Sequence, residues 1–101
     1  MQQRKNIPMQ MSATEQALAE ANAGGVSFVL TELDMALTFI DLAQTSHRAE
    51  TVRRNHKNAL EAYRTVQRFL PKVKPGVAEQ KEINKKLATL KTWLLRAGYQ
   101  V

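Results

Sequence analysis

Residues 52–71, VRRNHKNALEAYRTVQRFLP, decide how the rest of this chain is read. Val52, His56, Ala59, Tyr63, Val66 and Leu70 recur at alternating steps of four and three, which gathers them on one face of a helix. Arg53, Lys57, Arg64 and Arg68 fall on an adjacent stripe. One helix therefore carries both an apolar face for a core and the main charge feature. Pro71 marks its end, because the residue before a proline avoids helical geometry.

Working backward, the spacing predicts a helix over 27–45. Leu30, Leu33, Leu37 and Ile40 make its core face, while Phe28, Met35, Phe39 and Leu42 make a second apolar face on the far side. A helix apolar on two faces is either central in its bundle or covered by another chain. Two covers are open: the 12–23 segment, or a homodimer seam or partner groove. Residues 46–50 form the turn into the second helix, which runs over 49–70. Working forward, Lys72 to Gly76 connects to a third helix over 77–97, with Ile83, Leu87, Leu90, Leu94 and Ala97 at the same four-three steps. Glu82 precedes Lys86 by one turn, a favourable pair. Gly98 stands where a helix-ending glycine belongs.

At the N-terminus, residues 1–11 are polar, aperiodic and contain Pro8, and are expected to be a disordered tail. Ser12 and Glu15 have the spacing of a capping box. Helix formers continue to Ala23, and Gly24-Gly25 is the expected stop. Leu18 is the one large apolar residue of that stretch, so the 12–23 helix is marginal in water without a partner surface. The expected organisation is a flexible segment over 1–26 and a three-helix domain over 27–98. No stretch alternates with period two, so no sheet is expected. Short connections imply antiparallel neighbours. The predicted fold is an all-α antiparallel three-helix bundle, with a short extra N-terminal helix at most.

The 101 residues suffice for one domain. Cysteine is absent, which excludes disulfides and thiolate metal sites. No apolar run approaches the roughly 18 residues of a membrane span. Arg4 and Lys5 are followed by Pro8 and polar residues rather than an apolar core, so no signal peptide is read. A cytoplasmic location is the expectation. The net charge of +6 is uneven. Residues 27–46 carry Glu32, Asp34 and Asp41 with no compensating cation, whereas 47–75 hold eight Lys and Arg against Glu50 and Glu61.

No catalytic constellation emerges. His56 sits within an apolar stripe and His47 in a turn, neither with a carboxylate spaced for a metal pair or a dyad. Asp34 and Asp41 share a face, but about 10 Å of helical rise separates them. Gly24-Gly25 lacks the Lys-Ser/Thr of a phosphate loop. Trp93 lies beside the third apolar stripe and reads as a core-edge residue. No catalytic, metal or cofactor-binding residue is assigned, and no cofactor is expected.

Ala59, Tyr63 and Pro71 in NALEAYRTVQRFLP resemble the second helix of a tetratricopeptide repeat, where a small and an aromatic residue one turn apart let helices approach closely. LDMALTFIDLAQT is similar to the preceding helix of such a pair. No Leu-Gly pair is present, the 46–50 connection is long for the repeat, and no second copy stands at its period of about 34 residues. The three long helices also resemble the microtubule-interacting and trafficking (MIT) domain. The leucine-rich first helix and Asn-Ala-x-x-Ala-Tyr second helix are similar to short bacterial helical proteins of unknown function, which implies a fold and no activity. The first two resemblances imply peptide or helix binding.

Three functions are therefore weighed. A self-associating helical interaction module, using Phe28, Met35, Phe39 and Leu42 toward a homodimer or a helical or peptide partner, stands first. A weak, sequence-independent nucleic-acid or polyanion binder, using Arg53, Lys57, Arg64 and Arg68, stands second. Against it, no aromatic is interleaved with the stripe for base stacking. An enzyme stands last, since no nucleophile–base–orienter set can be assembled. No membrane partner is expected.

Overall fold

A computed structural model describes residues 12–101. The tail expected over 1–11 lies outside the described residues. Among the described residues the chain forms three α-helices and no strand: α1 (Ala13–Thr45), α2 (Ala49–Phe69) and α3 (Val77–Arg96), with a 3-10 turn at Leu70–Lys72. This is the expected all-α three-helix bundle. Phe28 meets Phe69, and Ala43 shares a groove with His56, so α1 and α2 run antiparallel. Lys86 reaches Asp34 and Trp93 lies near Ala43, so α3 returns in the direction of α1.

The main departure from the sequence reading is at Gly24-Gly25. These residues do not stop a helix; α1 runs through them unbroken for 33 residues. A glycine ends a helix by adopting left-handed backbone, and Gly98 (φ 96°) is the described glycine that does so. Gly25 serves closeness instead. A Cβ built there would come within 2.5 Å of Val73 Cγ1, so the missing side chain is the notch into which the α2–α3 connection settles. Asn22 fixes the same contact: its Nδ2 donates to the Lys74 carbonyl at 3.0 Å, and its Oδ1 accepts from the Lys74 N–H at 2.7 Å. The predicted capping box forms, with Glu15 N–H donating to Ser12 Oγ and Ser12 N–H to Glu15 Oε1. These hydrogen bonds hold the Glu15 carboxyl below its usual range.

The core face of α1 is also re-centred. Val26, Val29, Leu33, Ala36, Ile40 and Ala43 are buried, and Leu30 and Leu37 flank them as half-buried contacts. The cause is that α1 packs against both other helices, so its buried arc is wide and its centre uses small residues that permit close approach. On α2, Ala59, Tyr63 and Val66 are buried as read, with Leu60 and Ala62 beside them. On α3, Ile83, Leu90 and Leu94 are buried. After α3, Gly98 N–H donates to the Leu95 carbonyl and Tyr99 N–H to that of Leu94, a closed left-handed terminus that turns Tyr99 back onto the bundle.

Candidate interaction surfaces

The outer face of α1 is the first surface. Phe28, Met35 and Leu42 are 38%, 46% and 48% exposed, and Phe39 is half-buried against the core. The 12–23 segment does not cover them. It continues α1 in line, so it projects beyond Asn22 as an exposed arm, with Leu18 65% exposed. The cover that exists comes from α2: the Phe69 ring lies 4.8 Å from that of Phe28, with the Lys72 ammonium over the Phe69 ring. Met35 and Phe39 form a ridge between two open grooves. One, of about 350 Å³, is lined by Thr31, Asp34 and Thr38. The other, of about 390 Å³, lies toward α2 and is lined by Glu32, Asn58, Glu61 and Thr65.

The second surface is the basic face of α2. Arg53, Lys57, Arg64 and Arg68 are all exposed. Two further features shape this face. Glu61 stands on the same face, between Lys57 and Arg64, and divides the stripe into two basic halves. Tyr99 then closes an open cleft of about 620 Å³ over Leu60, beside Arg53, Lys57 and Arg64. No aromatic is thus interleaved with the stripe along α2, but Tyr99 joins it in space. The signal was Gly98, because the residue that follows a left-handed helix-ending glycine is thrown back against the preceding turn. Among the described residues Arg53, Lys57 and Arg64 make no ion pair, whereas Arg54 approaches Glu50 at 4.0 Å.

The remaining candidates fall to structural roles. His56 is half-buried, with its ring edge-on to Tyr99 at 6.2 Å, and His47 is exposed. Trp93 is half-buried beneath the Arg96 guanidinium at 5.1 Å. Asp41 is exposed; Asp34 pairs with Lys86, which also meets Glu82 at 2.9 Å. The two carboxylates, Asp34 foremost, hold the Lys86 ammonium above its usual pKa. Among the described residues no group of three or more His, Cys, Asp or Glu is placed to hold a metal ion. No described helix is long and apolar enough to cross a membrane. Comparison with known proteins finds no matching family model, no matching curated relative and no matching solved structure.

Proposed function

We propose that this chain is a helical protein-interaction module that self-associates through the outer face of α1, with a binding rather than a catalytic role. The observation that carries this reading is the exposure of Phe28, Met35 and Leu42 along one line of a helix whose opposite face is fully committed to the core. Apolar side chains lined up in this way on a surface mark a contact site more often than chance exposure does. The ridge of Met35 and Phe39 beside its own grooves gives relief that a second copy can match around a two-fold axis. Burial of Ala59 and Tyr63 supports a tetratricopeptide-like or MIT-like pairing of α1 and α2, and with it helix or peptide binding. A cytoplasmic setting is part of the proposal, since a chain without cysteine needs no oxidising compartment. Sedimentation tests the reading: the protein should be dimeric at high micromolar concentration, and Met35→Glu should be a helical monomer. A wild-type monomer across that range rejects it.

A second reading is favoured by the Tyr99 cleft. Three cations without ion pairs around an aromatic ring suit a weakly held polyanion. Glu61 in the midst of the stripe places this reading second, because it repels an anion that follows the helix.

A further inference from the structure

The outer face of α1 continues along the arm. Thr14, Ala17, Ala21 and Gly24 occupy its first half at steps of three and four, and all are exposed. Phe28, Thr31, Met35, Thr38, Leu42 and Thr45 extend the same repeat to the end of the helix, also exposed. No charged residue interrupts this line, and its two halves differ in size: small residues toward the N-terminus, bulky ones toward the C-terminus. The arm carrying the small half packs on nothing within its own chain beyond Asn22.

The geometry points to an antiparallel seam between two copies of α1, with the two-fold axis beside Val29 and Leu30. This rests on the self-association reading above and adds its register. The repeat of three and four is that of helices packed knob-into-hole. With the axis at the middle of α1, Leu42 of one copy lies opposite Ala17 of the other, Met35 opposite Gly24 and Thr38 opposite Ala21. Bulky residues then enter the gaps left by small ones over the whole helix. Leu18 shares a flank with Phe39, three steps of seven away, and the same axis brings Leu18 of one copy beside Phe39 of the other. An axis at Met35 would instead set Met35 on Met35 and Phe28 on Leu42, and leave both arms unpaired.

Length supports a second copy as the occupant. Thirty-three residues give a seam about 50 Å long, and a helix-wide strip of that length covers about 500 Å² per copy, or about 1,000 Å² in total, the lower bound for a specific interface. Charge gives the seam a signature. Glu20 of one copy lies near Asp41 of the other along one edge, a like-charge contact that salt screens. This dimer therefore tightens with added salt, whereas a basic helix docked on the same acidic-edged strip would loosen.

The test uses the absence of native cysteine. The double variant Ala17→Cys, Leu42→Cys should give a disulfide-linked dimer on mild oxidation, and the single variant Met35→Cys should not. Ala21→Glu changes an arm residue outside the core, so helix content by circular dichroism should be unchanged while the dimer dissociation constant rises about tenfold or more. Dimers that are linked by oxidation of the Met35→Cys variant, resist Ala21→Glu and give no 17–42 link overturn the register and leave self-association standing. A protein monomeric at all concentrations overturns both.

Discussion

Asn22 clasps the backbone of Lys74 from both sides, its amide giving one hydrogen bond and accepting another at 3.0 and 2.7 Å. A helical side chain thereby does for a connecting loop what a neighbouring strand would do. It ties the α2–α3 connection to α1 at the point where Gly25 makes room for Val73.

The two adjacent glycines should consequently respond in opposite ways. Gly24→Ala meets nothing within 4 Å and should stabilise the protein by about 0.5–1 kcal/mol through helix propensity. Gly25→Ala must displace Val73 and should fall short of that gain or destabilise. Asn22→Ala should cost about 1 kcal/mol for two exposed hydrogen bonds. Urea denaturation of the three variants at a concentration where the chain is monomeric checks the order, and an equal gain at both glycines contradicts the notch.

Tyr63 is 4% exposed and its hydroxyl accepts a hydrogen bond from Gln67 Nε2 at 3.0 Å. Tyr63→Ala should cost about 3 kcal/mol or more, as large aromatic truncations in cores do. Tyr63→Phe should cost less than about 1 kcal/mol, since the lost partner is a solvent-reaching amide. Equilibrium unfolding distinguishes the two.

Lys86 joins α1 to α3 through Asp34 and Glu82. Its folded pKa is raised, so this contribution to stability is complete below the ordinary lysine pKa and is lost as pH rises through the raised value. The carboxylates are 60% and 51% exposed, so Lys86→Met should cost no more than about 1 kcal/mol at neutral pH, and less in high salt. Melting temperatures measured from pH 7 to 11 should converge between wild type and variant at the alkaline end.

Glu61 sets the ceiling on polyanion binding by the α2 face. Glu61→Gln should raise the affinity for a heparin or oligonucleotide probe by about threefold at low salt, and Tyr99→Ala should lower it for single strands that stack. All such binding should fall steeply with salt and ignore sequence. Fluorescence anisotropy titrations read this directly; an unchanged affinity for Glu61→Gln means that the probe binds elsewhere.

Much of this arrangement is legible in the chain because α2 and α3 each have a single apolar stripe, and a single stripe allows a single register. Ala59, Tyr63, Val66, Ile83, Leu90 and Leu94 are buried where the four-three spacing puts them. On α1 the same logic is weaker, because leucine spacing favours Leu30 and Leu37 while the buried line runs through Val29, Ala36 and Ala43. Alanine and valine carry little pattern signal, and only the closeness of α2 reveals their place. Gly24-Gly25 misleads for a related reason: a glycine that ends a helix and one that admits a neighbour are identical in sequence. They differ in what lies 48 residues later, at Val73. Tyr99 joins the basic face through a reversal of chain direction at Gly98, which periodicity along α2 cannot express.

Trp93, the single tryptophan, sits under Arg96 beside Ala43 and His56, at the end of the bundle remote from the Asn22–Lys74 clasp. Along α1 the two ends are about 30 Å apart. Its emission is consequently an optical reporter of that end of the bundle, where α1, α2 and the α3 terminus meet. Arm opening or loosening of the Val73 loop would change far-UV ellipticity and leave fluorescence untouched, so melting curves from the two signals separate fraying at one end from collapse of the whole.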